Sequence, residues 1–158
     1  MKKTILLMIS FVLSFTLAYG SDNTLRIWDF NAGNTTDFGG HFNQFASQES
    51  SACNYLSDEI YRGSGGRSLE ITAEKTPGGF CGTWVHFFDV KQKPENRQYL
   101  NASGYQYISF RVRGARGGEI FTVQMADASW IQKEDSVPAQ PLKTYLPEGI
   151  STEWQEVV

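Results

Sequence analysis

Residues 107–113 (Tyr107, Ile108, Ser109, Phe110, Arg111, Val112, Arg113) alternate polar and apolar side chains without a fault. A period of two belongs to a β-strand with one face buried and one face wet. The glycine-rich stretch 114–118 reads as a turn, and residues 119–125 then resume the alternation. This pattern predicts an antiparallel hairpin. Further strands are expected at residues 25–30, 68–72, 82–88, 143–146 and 153–158, parted by turn clusters at 63–66 and 77–79. The polar, glycine-bearing stretch 31–48 reads as a loop, and no segment longer than about ten residues carries a helical period. The expected fold class is therefore all-β. Trp154 to Val158 reads as the opening of a strand, so the domain is expected to lack its last strand.

The N-terminus sets an expected destination. Lys2 and Lys3 precede an apolar run from Ile5 to Leu17 that is broken only by Ser10, Ser14 and Thr16. In Ala18-Tyr19-Gly20, Ala18 and Gly20 are the small residues before a cleavage point between Gly20 and Ser21. This is the layout of a secretory signal of bacterial type over residues 1–20. The run is shorter than the ~20 residues needed to span a bilayer as a helix. Cleavage leaves one domain, 21–158, in the secreted or periplasmic space. It also removes two of the fourteen basic residues and none of the seventeen acidic ones, so the net charge moves from −3 to −5. An acidic chain without a basic tract is a poor match for nucleic acid or anionic lipid. Cys53 and Cys81 are the only two cysteines. In an oxidising compartment they suggest one disulfide, the rival reading being two separate buried thiols.

Alternation also sorts the faces. Ile108, Phe110, Val112, Phe121, Val123, Met125, Leu69, Ile71, Ala73, Val85 and Phe87 form the expected core. The opposite face is expected to carry Trp84, His86, Tyr107, Ser109, Arg111, Arg113, Thr122 and Gln124, with Asp127 just beyond. Sugars suit such a face, because their C–H faces stack on aromatic rings while their hydroxyls pair with planar polar groups. The plainer account is that outward arginines pair across the ladder with acids and that Trp84 is ordinary core. No pair of acids is set apart as a general acid and base. Neither His41 nor His86 stands beside a recognisable nucleophile signature, and the chain reads as non-catalytic.

Taken in order, Ile27, Trp28, Asp29 and Phe30, then Phe38, Gly39 and Gly40, then residues 66–71 resemble the opening of jelly-roll carbohydrate-binding modules. The segment YQYISFRVRG, the segment FTVQMAD and the run Trp154, Gln155, Glu156, Val157 resemble their later signature. The likeness is greatest to the family 11 group of the galactose-binding-like superfamily and runs over nearly the whole of 21–158. A similar opening occurs in the complex I assembly-factor family. The resemblance implies a two-sheet antiparallel sandwich with a ligand cleft on the concave face of one sheet. It also implies a structural calcium at Asp29, with backbone oxygens from Gly66 to Ser68 as further ligands. The expected ligand-binding residues are Trp84, His86, Tyr107, Arg111, Arg113, Gln124 and Asp127, and the expected partner is a poly- or oligosaccharide. An envelope module that meets a protein partner through the same face is the second reading. A glycan-active enzyme within these residues is the third, while under the first reading the module stands alone or fronts a longer glycan-active enzyme whose catalytic portion lies beyond Val158.

Overall fold

The structure, a computed structural model, describes residues 24–58, 66–129 and 140–158, together with the backbone pairing of residues 4–10. The expected cleavage point at Gly20 and the turn residues Gly63 to Gly65 lie outside the described residues. The chain is all-β, with two short 3-10 turns in place of helices. Its strands are β1 (Thr4–Ser10), β2 (Phe42–Ala46), β3 (Ser51–Ser57), β4 (Ser68–Glu74), β5 (Cys81–Val85), β6 (Phe110–Gly114) and β7 (Gln155–Val157). Five of them form an antiparallel sheet in the order β3-β4-β1-β6-β7, and β2 pairs with β5 in a second, two-stranded sheet. Among the described residues no helix is long and apolar enough to cross a membrane.

The core lies on one face of the larger sheet. In the β6–β7 ladder Phe110 stands opposite Val157. Leu69 and Val112 both stand opposite Ile9 of β1. Directly opposed residues share a face, so Leu69, Ile71, Phe110, Val112 and Val157 point the same way. All five are buried, together with Ile27, Trp28, Phe30, Leu142 and Ile150. The expected core thus holds at Leu69, Ile71, Phe110 and Val112. Ile108, Phe121, Val123, Val85 and Phe87 pack at its margin, whereas Met125 is exposed.

Residues 25–30 are not a strand. They make no ladder with any strand, and the adjacent Ile27 and Trp28 are both fully buried. The segment crosses the core as irregular extended chain. Phe30 ends it at φ 63°, a left-handed conformation that a bulky side chain seldom adopts. That reversal brings the Phe30 ring to 4.0 Å from Trp28, centroid to centroid. Trp28 in turn lies 5.3 Å from Phe42 of β2, so one indole ties the small sheet to the core of the large one.

The expected hairpin of 107–113 with 119–125 does not form. Both edges of β6 are taken, one by β1 and the other by β7. The Glu119 carboxylate folds back onto Gly114, where any side chain would strike it, and Glu119 Oε1 accepts the Arg116 N–H at 2.9 Å. The later segment makes only isolated bridges, such as Thr122 with Pro141. Residues 143–146 are likewise not a strand, because Leu142–Thr144 is a 3-10 turn that buries Leu142. Conversely, β2 lies inside the stretch read as a loop.

The expected disulfide is absent, and both thiols are free. Cys53 sits on β3 in the large sheet, opposite Thr72, and is exposed. Cys81 opens β5 in the small sheet and directs Sγ at the Glu74 carbonyl, 3.6 Å away. The two residues belong to different sheets and the sulfurs face different surroundings. Burial pushes the Cys81 thiol up, and Lys75 only partly opposes it. Thiolates are the reactive form, so Cys53 is expected to react with an aromatic disulfide reagent well before Cys81. Stopped-flow absorbance on single Cys→Ser variants checks the order.

Candidate functional site

The site begins where β2 and β5 meet. Phe42 stands opposite Val85 and Asn43 opposite Trp84. One further bond, from His86 N–H to the His41 carbonyl at 3.0 Å, carries the pairing past the end of β5. Gly40 makes this junction possible, since a β-carbon there would run into the His86 carbonyl. Thr36 locks it from beneath. Its hydroxyl accepts the Gly40 N–H at 3.0 Å and donates to the His86 carbonyl at 3.3 Å.

Trp84 lies on β5, and His86 and Phe88 follow where the chain leaves the strand and bends. Their rings form a ladder, with Trp84 and His86 4.2 Å apart and His86 and Phe88 4.7 Å apart. Tyr99 extends it at 4.9 Å from Phe88. His41 flanks it, 6.2 Å from His86 and 6.3 Å from Trp84. Arg97 lies over the Phe88 ring at 5.1 Å, within cation–π range, while its Nε–H donates to the Gln92 carbonyl. Trp84, His86 and Phe88 are half-buried and Tyr99 is exposed. The ladder therefore offers a continuous apolar strip with a cation along it.

The ladder runs into a cleft of about 410 Å³ lined by Asp37, Phe38, Gln98, Tyr99, Leu100 and Asn101. That volume is within the range of small-ligand sites. Its walls pair an aromatic ring with two side-chain amides and a carboxylate. Asp89 braces the loop between ladder and cleft. Its Oδ1 accepts the Lys91 N–H at 2.9 Å and its Oδ2 accepts from the Gln92 amide at 3.2 Å. These bonds hold the carboxyl below its ordinary range.

The protonation equilibrium of His86 is displaced downward. Burial lowers it, and the neighbouring His41 and Arg97 lower it further. Its Nδ1 is buried with no hydrogen-bond partner among the described residues, so a proton there would meet no acceptor among them. The neutral imidazole is then the form that the fold prefers. Stability is undiminished above the unfolded value of about 6.5 and falls as pH drops through the lower folded midpoint. NMR titration is expected to give His86 a midpoint below that of a free histidine, moving upward in Arg97→Ala.

The remaining expected site residues lie elsewhere. Trp84 and His86 belong to the β2–β5 unit, whereas Arg111 and Arg113 belong to β6 in the large sheet, so the expected single face is split. Arg111 is buried, stands opposite Glu156, and donates to its Oε2 at 3.0 Å. The Arg113 guanidinium lies 5.3 Å over the Trp154 ring. Arg111 thus has the cross-strand acid of the plainer account, whereas Arg113 has an aromatic ring beneath it. Tyr107 is exposed just before β6, and Gln124 and Asp127 lie on the exposed stretch after it. Asp127 accepts the Ser129 N–H at 2.7 Å. Phe88, Arg97, Gln98, Tyr99 and Asn101 were missed by sequence reasoning. Spacing could have found Phe88, two residues beyond His86, but nothing local relates Tyr99 to it.

The implied calcium does not fit the residues present. Asp29 Oδ2 accepts from Arg26 Nη1 at 2.9 Å and its Oδ1 accepts the Asn31 N–H at 3.0 Å. The same guanidinium donates through Nε to Asp37 at 2.8 Å. A single guanidinium thus already pairs with both carboxylates, and they raise Arg26 above its ordinary range. The Asn31 side chain accepts the Arg67 N–H at 2.9 Å, joining the two loops without a metal. Among the described residues no group of three or more His, Cys, Asp or Glu side chains could hold an ion, while calcium asks for six to eight oxygens.

No protein-family profile, curated protein or solved structure matches this chain.

Proposed function

We propose that the chain is a secreted carbohydrate-binding module of jelly-roll, galactose-binding-like architecture, in which the Trp84–His86–Phe88–Tyr99 ladder and the adjoining cleft hold a poly- or oligosaccharide. The observation that carries this reading is the juxtaposition of a partly exposed aromatic strip with a cleft bearing Asp37, Gln98 and Asn101. Pyranose rings present apolar C–H faces and directional hydroxyls, and the strip and the cleft supply a partner for each. The ladder is rigid, because each ring is buttressed by the next, so little side-chain entropy is lost on binding. Binding, with no bond made or broken, accounts for every feature of the site. Specificity would come from the cleft, where two amides and a carboxylate can tell one hydroxyl pattern from another.

Affinity electrophoresis through soluble β-glucans, xylans, galactans and mannans tests this. One class is expected to retard the folded chain, with the same retardation in the presence of a chelator, since Arg26 occupies the cation's role. Absence of retardation by every class, from a sample with intact far-ultraviolet dichroism, overturns the sugar reading. Recovery of one stoichiometric protein partner by the same face would replace it with the envelope-interaction reading.

A further inference from the structure

The centre of the large sheet is made by a segment that the sequence marks as a leader. β1 pairs antiparallel with β4 from Thr4 opposite Glu74 to Ile9 opposite Leu69. On its other edge it pairs antiparallel with β6 from Leu7 opposite Gly114 to Ser10 opposite Arg111. β4 and β6 therefore run parallel to each other, one strand's width apart. Adjacent strands lie about 4.8 Å apart, so the two walls stand roughly 10 Å from one another and share no hydrogen bonds. Their inner edges are completed only by whatever lies between them.

We propose that the gap between β4 and β6 is a strand-accepting slot that takes an extended apolar segment, antiparallel to both walls. The need for a donor rests on reading residues 1–20 as a cleaved leader. In the uncleaved chain Thr4–Ser10 fills the slot itself. After cleavage a peptide strand of the same chemistry takes its place. The register states what that strand must offer. Two of its alternate positions stand in the core-face rows, one between Leu69 and Val112 and one between Ile71 and Gly114. Leu69 and Val112 are fully buried, so these positions require apolar side chains. The position between them stands in the row of Glu70 and Arg113 and tolerates polarity. An empty slot would leave two rows of backbone donors and acceptors unpaired in mid-sheet, which costs as much as losing the hydrogen bonds themselves and invites strand addition.

The test uses the full chain with a protease site placed within residues 13–18. After cutting, the leader strand is expected to co-elute with the body and to exchange for a fluorescent, lysine-flanked peptide of the Thr4–Ser10 sequence. The same peptide with Leu7→Pro, which lacks a donor N–H and cannot hold the ladder, is expected to compete at least about tenfold less well, a difference of about 1.4 kcal/mol. Hydrogen exchange at β4 and β6 is expected to accelerate when the strand leaves and to slow when peptide is added. A body that unfolds on loss of the strand and refolds with peptide also supports the slot. The proposal is overturned if β4 and β6 stay protected and bind no peptide, if the Leu7→Pro peptide competes equally, if an unfolded body ignores peptide, or if the cut body forms a dimer that peptide does not dissolve. Whether the leader is cleaved in cells is read separately, by N-terminal sequencing of the exported protein.

Discussion

Replacing Trp28 with alanine is expected to destabilise the fold by about 3–5 kcal/mol, measured as a shift in the urea midpoint at unchanged slope. Trp28 is fully buried, touches Phe30 in the core, and reaches Phe42 of the small sheet. Its loss opens a large cavity where the small sheet meets the core of the large one. Domains of this size are stable by about 5–15 kcal/mol, so the variant stands close to unfolding. Trp28→Phe is expected to cost much less. It keeps a ring beside Phe30 and Phe42, and it removes a buried Nε1–H with no hydrogen-bond partner among the described residues. An orphaned donor of this kind costs about 1–3 kcal/mol, which offsets part of the lost volume. Equal losses in the two variants would show that the indole N–H, rather than the packing, supports the core.

Replacing Trp84 or Tyr99 with alanine is expected to weaken glycan retention by about tenfold or more each, with the fold intact by circular dichroism. An aromatic anchor in a binding site is commonly worth 2 kcal/mol or more. Tyr99 belongs to both the ladder and the cleft, so its removal strikes both halves of the site. Arg111→Ala is the contrasting variant. Arg111 holds Glu156 across the β6–β7 ladder, and that pair is half-open to solvent. Its loss is expected to lower stability, through lost packing of the buried Arg111 stem as well as the lost pair, and to leave retention unchanged. Retention lost with Arg111 and kept without Trp84 would move the site to the β6 face.

These contrasts show where sequence reading reaches and where it stops. Phe110 and Val112 were legible as core, because alternation is a property of the strand alone, but Arg111, expected on the wet face, is buried as well. Leu69 and Ile71 were legible for the same reason. The partner of each strand was not. Residues 107–113 and 119–125 carry matching patterns and a glycine turn, yet β6 spends both edges on β1 and β7, strands far away in the chain. Pairing is a competition among all available edges, and local pattern describes only one competitor.

The site divides along the same line. Trp84 and His86 were legible as an aromatic pair at strand spacing, and their ring stacking follows from that spacing. Their separation from Arg111 and Arg113 was not, since it depends on β5 choosing β2. The same choice placed Cys81 away from Cys53. The family resemblance made Asp29 a cation ligand, but the guanidinium that pairs with it also holds Asp37, eleven residues beyond Arg26. By itself the sequence determined an all-β chain and which side chains along β4 and β6 face inward, because both follow from turn residues and a period of two. Only the tertiary structure decided which strands meet, which rings form the ladder, and that an apolar N-terminal strand closes the sheet, because hydrogen bonds between strands are blind to separation along the chain.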